Sequence, residues 1–368
     1  MKSIYIYIHY PFCSRKCPYC AFYSLQKSAC TASNYGKISD DDLIDIYKSQ
    51  LDYYHKFSPN YSVETIFFGG GTPSLASEKL LSEVIKYIEK KWVIKSDVEI
   101  SIEANPSSST AEKFAAYKSI GINRLSIGIQ SLHDDELKFL GRIHDAKTAL
   151  QTIENGIKFF ENISADFIYG LPNHTSEIWL KNLSQIIDIG LPHYSLYQLT
   201  IEKNTSFFNS VKCGKISPIN DVIEAKLFSQ TRKFMRAKKI PAYEVSNFAK
   251  YGFECKHNLS YWTGADYIGI GPSAQGRIGH TAFTCDTIDW KKIRTEKLSV
   301  VEKSEELILT NLRCKYGLKI DILPKNILDL SAIKEMQKFI KYNEKNQSLK
   351  MTEKGFLFFN SVVEKIIS

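Results

Sequence analysis

Cys13, Cys17 and Cys20 stand at CxxxCxxC spacing, in Cys13-Ser14-Arg15-Lys16-Cys17-Pro18-Tyr19-Cys20. An alternating apolar run (Ile4, Ile6, Ile8) lies just upstream, which places the three thiols on a loop leaving a buried strand. Cysteine thiolates are the usual ligands of iron–sulfur clusters. A loop of this length can wrap one corner of a cubane, and a four-iron cluster with three local cysteines keeps one iron for a non-protein ligand. The competing readings are a zinc site or buried structural thiols. Zinc takes a fourth ligand, normally from a second Cys or His pair. No second CxxC or CxxxC follows in the chain, which favours the cluster.

Other polar groups and glycines recur just after apolar runs. Phe67-Phe68-Gly69-Gly70-Gly71-Thr72-Pro73 offers close backbone approach to a ligand and positive φ angles. A phosphate cradle is the rival there, but no Gly-Lys-Ser/Thr follows and GxGxxG spacing is absent. Taken alone, the run is equally a tight turn. Glu103, in Ile102-Glu103-Ala104-Asn105-Pro106, is placed to bond ribose hydroxyls or simply to be a solvated carboxylate or helix cap. Gln130 closes Arg124–Gln130, Arg142 follows in Leu140-Gly141-Arg142-Ile143-His144, and Asp166 begins Asp166-Phe167-Ile168-Tyr169-Gly170-Leu171-Pro172. Each is weak by itself; their order and recurrence at strand ends carry the weight.

The elements that must position these groups alternate. Strands are expected at Ile4–Ile8, Thr65–Phe68, Val98–Glu103, Arg124–Gln130, Ala165–Tyr169 and Tyr194–Thr200. Helical patterns fall at Asp42–Lys56, Ser77–Lys91, Thr110–Ile120, Asp145–Phe160, Thr175–Ile189 and Asp221–Lys239. Six βα units argue for an α/β fold with a parallel sheet, an incomplete (β/α)6 barrel whose chemistry sits at the carboxyl ends of its strands. Ser24–Asp41 reads as an extended polar loop. The expected division is a barrel over 1–240, a connector over 241–300 and a small, mainly helical C-terminal domain over 301–368, with helices at Glu305–Arg313 and Thr352–Ile367.

Over 368 residues, 43% hydrophobic and 24% charged content is ordinary for a globular chain. The net charge of +8 is spread without a dense basic tract, so no nucleic-acid partner is expected; it would suit an anionic ligand such as a tetrapyrrole bearing propionates. No apolar run is long enough to span a bilayer, and the N-terminus lacks the apolar core of a signal peptide. Cys30, Cys213, Cys255, Cys285 and Cys314 are scattered singly, as reduced thiols are. A cytoplasmic protein is expected.

Taken in order, Tyr7-Ile8-His9-Tyr10-Pro11-Phe12-Cys13, FGGGTPS, EANP, NRLSIGIQS, LGRIH, DFIYGLP and SLYQLTIE resemble the oxygen-independent coproporphyrinogen III oxidase-like family of radical S-adenosylmethionine (SAM) proteins over nearly the whole chain. The resemblance implies a [4Fe-4S] cluster on Cys13, Cys17 and Cys20. It also implies SAM contacts from Tyr7, Gly70, Gly71, Thr72 and Glu103, and a second SAM pocket at Tyr19, Gln130, Arg142 and Asp166.

Three departures point away from the oxidases and toward the HemW-type heme-chaperone branch. Phe22 stands where the oxidases carry a fourth cysteine. Twelve residues precede Cys13, where the oxidases have a longer arm. His257-Asn258-Leu259-Ser260-Tyr261-Trp262 matches the HNxxYW element of the chaperones, which implies heme binding by His257, Asn258, Tyr261 and Trp262. Neutral imidazole is a common axial ligand of heme iron; the plainer alternative is a hydrogen-bonded core histidine with Tyr261 and Trp262 packed around it. Cys255 offers a thiolate two residues away, though a structural thiol fits it better. A last departure is Gly271-Pro272-Ser273-Ala274-Gln275-Gly276, where the family has GPGAHG. The resemblance therefore implies heme, a SAM-ligated cluster, and heme-acceptor partners such as respiratory cytochromes in membrane complexes. Oxidative decarboxylation of coproporphyrinogen III is the alternative activity, with a radical-SAM methylase behind it.

Overall fold

The computed structural model describes residues 1–26 and 38–367; Cys30 and most of the Ser24–Asp41 stretch lie outside the described residues. Six parallel strands form the frame: β1 (Lys2–Tyr10), β2 (Tyr61–Gly70), β3 (Val93–Ala104), β4 (Arg124–Gln130), β5 (Asn162–Tyr169) and β6 (His193–Gln198). Each pairs with the next in chain order. Parallel neighbours need long crossovers, which here are α1 (Asp40–His55), α2 (Glu78–Lys91), α3 (Ala111–Ser119), α4 (Asp134–Phe139), α5 (Ala146–Phe159) and α6 (Ser176–Asp188). After β6 come α7 (Ser206–Lys212) and α8 (Asp221–Ala237). The result is the expected incomplete (β/α)6 barrel.

Local chemistry sets the helix starts. Ser77, Thr110, Asp145, Thr175 and Asn220 each accept a backbone N–H of the first turn of α2, α3, α5, α6 and α8. Ser39 and Asp42 cap reciprocally, which starts α1 at Asp40, two residues before its apolar pattern does. One face of each strand feeds the core: Ile4, Ile6 and Ile8 of β1 are fully buried with Ile66 and Phe68 of β2 and Leu81 and Ile85 of α2. Each such side chain contributes about 1.5–3 kcal/mol by leaving water. The alternate face of β1 turns Tyr7 and His9 toward the barrel interior, where their rings lie beside Phe67 and each other.

The sheet does not stop at six strands. β7 (Asn247–Ala249) adds antiparallel to β6 at one edge. After α9 (Lys256–Trp262), β8 (Tyr267–Ile270) pairs parallel with the far side of β1, and β9 (Gln275–Ile278), β10 (Thr281–Cys285) and β11 (Ile293–Lys297) continue antiparallel from it. Residues 247–297 thus extend the sheet at both edges.

Beyond this, α10 (Val300–Asn311) begins at a Ser299–Glu302 capping box. A small sheet of β12 (Leu318–Lys319), β13 (Ile340–Asn343) and β14 (Ser348–Met351) packs with α11 (Leu330–Glu335), α12 (Glu353–Leu357) and α13 (Phe359–Ile366). The unit is mainly helical and has its own core of Ile308, Leu318, Ile340, Leu349, Val363 and Ile366. The helix expected over Thr352–Ile367 is two helices, broken at Phe358, whose backbone (φ −119°, ψ 29°) leaves the helical region. Among the described residues no helix is long and apolar enough to cross a membrane.

Candidate functional site

At the carboxyl end of β1 the chain enters a short strand, Phe12–Cys13, paired parallel with Leu25–Gln26, so the cysteine loop is closed at its base. Inside it, the Cys20 N–H donates to the Cys17 carbonyl at 3.1 Å, and the Lys16 ammonium bonds the Phe22 carbonyl at 3.2 Å. Two outside elements hold its tip. The Phe207 N–H of α7 donates to the Pro18 carbonyl at 2.9 Å. Gly141, at φ +68°, abuts Pro18 so closely that a Cβ there would sit 2.6 Å from Pro18 Cδ.

Why three glycines follow β2 is visible in what faces them. A Cβ on Gly71 would lie 2.6 Å from the Phe12 carbonyl oxygen, and one on Gly70 (φ +105°) would enter the His9 ring at 2.6 Å. That closeness lets the Gly71 and Thr72 N–H groups donate to the Tyr10 and Phe12 carbonyls at 2.7 and 2.9 Å. The glycine run is therefore laced to the segment that delivers Cys13, and the Thr72 hydroxyl donates to Cys13 Sγ at 3.4 Å.

The three cysteines open on one cavity of about 450 Å³. Its wall also takes in Tyr19, Gly70, Gly71 and Thr72, together with Glu103, Gln130, Arg142 and Asp166. Glu103 accepts the Gly70 N–H at 3.2 Å. Burial, then the neighbouring Asp166, pushes its carboxyl up to about 8. Burial also raises Asp166, against the Ser195 hydroxyl, Arg124 and the Ser126 and Ser164 hydroxyls, which lower it. Gln130 holds a left-handed backbone (φ +73°) where the β4–β5 register slips between Gly128 and Gln130; no sequence signal marks that turn. Arg142 Nη1 donates to Cys17 Sγ at 3.4 Å and Nη2 to the Gly128 carbonyl at 2.9 Å. Burial raises the Tyr19 hydroxyl, against Arg142.

The donor set suits a cluster. Burial raises the Cys20 thiol, against the Phe22 backbone, and the neighbouring Cys17 and Cys13 add to the rise, so a thiolate at Cys20 calls for a cationic partner. Among the described residues no three His, Cys, Asp or Glu side chains converge on a single-ion site. A cubane, which takes one thiolate on each of three irons, fits three cysteines spread along one cavity wall better than zinc does.

Tyr7 and the HNxxYW residues are not brought to this cavity. Tyr7 lies behind the glycine run, its hydroxyl 3.2 Å from His9 Nδ1. His257 is 1% exposed. Its Nδ1 lies 2.6 Å from the Thr65 hydroxyl and its Nε2 2.9 Å from the Tyr261 hydroxyl, and its ring stacks on Phe67 at 4.9 Å. Burial pushes it down to about 3, so it is neutral. Asn258, Tyr261 and Trp262 are half-buried on the same helix, α9. Sequence reasoning missed Glu99: its carboxylate accepts the Lys256 and His257 N–H groups at 3.1 and 3.2 Å and so fixes the start of α9. Ser273 (φ +69°) and the exposed Gln275 lie outside the cysteine cavity, and Ser273 holds a backbone that glycine adopts more readily.

The radical SAM superfamily profile matches residues 7–186. The heme chaperone HemW of Haemophilus influenzae is 35% identical, the alignment covering 100% of this chain and 99% of that protein. The mitochondrial radical S-adenosyl methionine domain-containing protein 1 of Mus musculus is 34% identical over 85% of this chain and 73% of its own. The structure of the Escherichia coli coproporphyrinogen III oxidase HemN superposes with a TM-score of 0.79 at 18% identity, covering 99% of this chain and 89% of that one, a likeness of fold.

Proposed function

This chain belongs to the HemW-type branch of the radical SAM superfamily, and on that premise we propose that it binds heme and passes it to acceptor proteins, with respiratory cytochromes as the expected recipients. The full-length likeness to a heme chaperone carries the proposal. In this reading residues 1–240 carry the cluster and SAM, 241–300 carry the HNxxYW element and 301–368 form an accessory unit.

Cys13, Cys17 and Cys20 would hold a [4Fe-4S] cluster, and SAM would sit beside it in the same cavity. When bound, the pair supplies one-electron chemistry. The chain's own groups do the positioning. Gly70 and Gly71 let a ligand approach the backbone beside Cys13. Glu103 is protonated near neutrality and available to bond ribose hydroxyls. The Nε of Arg142, buried with no hydrogen-bond partner, is available to a carboxylate or amide oxygen of the ligand. Tyr19, Gln130 and Asp166 complete the wall where a second SAM would sit, and Thr72 lines the part beside Cys13 that the first would take, with Tyr7 behind the glycine run and outside the cavity.

In this reading heme would bind at the HNxxYW element, as the motif's resemblance to the chaperones implies. Ligation of its iron by His257 would require the Tyr261 hydroxyl to leave Nε2 or the Thr65 hydroxyl to leave Nδ1, and the buried ring to be uncovered. The test is to purify the protein without oxygen, reconstitute the cluster, and titrate heme while assaying coproporphyrinogen III with SAM and a reductant. Stoichiometric heme uptake without decarboxylation is the expected result. Protoporphyrinogen formation without specific heme binding would make the protein an oxidase.

A further inference from the structure

Arg142 is a half-buried cation, and among the described residues no carboxylate pairs with it. Its guanidinium makes two hydrogen bonds, to Cys17 Sγ at 3.4 Å and to the Gly128 carbonyl at 2.9 Å. Its Nε has no partner. A partly desolvated charge in this position gains from an opposite charge placed beside it. The group that meets Nη1 is a cysteine sulfur, and Gly141 against Pro18 fixes the distance between the two chain segments. A second donor, the Thr72 hydroxyl, meets Cys13 Sγ at 3.4 Å. Two of the three cysteines thus have side-chain donors, one charged and one neutral.

We propose that Arg142 sets the reduction potential of the cluster: its guanidinium is the counter-ion of the Cys17-bound corner and raises the midpoint, with Thr72 adding a smaller increment at Cys13. The inference rests on the cluster assignment above. An oxidised core on three thiolates is already negative, and one electron from a low-potential donor makes it more so, with no bond made or broken. A fixed positive charge and a sulfur hydrogen bond both favour the reduced state, and hydrogen bonds to the sulfurs are an established lever on such potentials. This role uses Nη1 and is separate from any contact that Nε makes with a ligand.

The experiment is an anaerobic redox titration with dithionite and mediators, followed by electron paramagnetic resonance, on wild type, Arg142→Gln, Arg142→Lys and Thr72→Val, all without SAM. Omitting SAM removes any contribution from SAM contacts. Arg142→Gln should shift the midpoint to more negative values, and Arg142→Lys, which keeps the charge but loses the planar fork, should shift it less. Thr72→Val should give a small negative shift. Resonance Raman should report a higher iron–thiolate stretching frequency in Arg142→Gln as the sulfur loses its donor. If Arg142→Gln loads four irons with the midpoint and stretch of wild type, the inference falls while the cluster assignment stands. If wild type assembles no four-iron cluster, that assignment falls and takes the inference with it. Should Arg142→Gln fail to load, Arg142→Lys decides: a negative shift supports the role, and a wild-type midpoint overturns it.

Discussion

The cysteine cavity and the packed surroundings of His257 differ in how complete they are. Around His257 every polar atom of the ring has a partner supplied by the fold, Thr65 on one side and Tyr261 on the other. Around the cysteines the polar inventory is unfinished: Arg142 Nε lacks a partner, Glu103 and Asp166 crowd each other, and the thiols share one open space. Buried polar groups are normally satisfied, so an unfinished set marks where a ligand belongs. A finished set marks a place that must first be opened. His9 is the wall between them, neutral because burial pushes it down to about 4, with one nitrogen on the Tyr7 hydroxyl and the other on the Tyr23 carbonyl.

The contrast can be broken most directly at Cys17. Cys17→Ser should abolish the four-iron cluster, read as iron content and visible absorbance, and leave heme uptake in place. A normal four-iron cluster in that variant would refute the assignment. His257→Ala should do the reverse, shifting or abolishing the Soret band of the heme-loaded protein while the iron–sulfur absorbance persists. It should also destabilise the fold by about 2–4 kcal/mol, because two hydroxyls lose their partner; an unchanged heme spectrum with that loss would make His257 structural only. Gly71→Ala tests the lacing of the glycine run to the segment that delivers Cys13. Its Cβ would push on the Phe12 carbonyl, and a stability loss of about 1–3 kcal/mol in chemical denaturation, with lower iron occupancy, is expected.

Glu103 gives a pH signature. Its folded value, about 8, lies above the ordinary carboxylate value of 4.5, so the folded state holds the proton more tightly. Its contribution to stability is complete below the ordinary value and is lost as pH rises toward 8. Denaturation of the cluster-free protein from pH 4 to 9 should show Glu103→Gln pulling ahead of wild type through that window, by at most a few kcal/mol. The smallest effect belongs to Ser273→Gly, which relieves a left-handed backbone and should leave stability unchanged or raise it by up to about 1 kcal/mol.

Much of this was readable beforehand, for physical reasons that also explain the gaps. The inner stretches of β1 to β5 carry buried β-branched residues such as Ile4, Ile66, Ile102, Ile127 and Ile163, β6 buries Tyr194 and Leu196 instead, and the helices announce themselves through Ser, Thr, Asp and Asn caps. The cysteine spacing and the glycine run are local in sequence, so both were visible. Elements of four to seven residues, such as α4, α9 and β8 to β11, are too short for periodicity to develop. Glu99 was invisible as a cap because it meets α9 across 157 residues of chain. The slip at Gln130 depends on the neighbouring strand rather than on its own residue type.

The placement of β7 and β8 has a mechanical consequence. The barrel is open, with β7 on one lip and β8 beginning the other, so the chain between Ala249 and Tyr267 must run from lip to lip, and α9 lies in that span. It is pinned on the way to β2 through Thr65 and to β3 through Glu99. That span is a cross-tie: parting the two lips would pull on it directly. A substitution that frees α9 from Thr65 or Glu99 would therefore slacken the tie as well as loosen the helix.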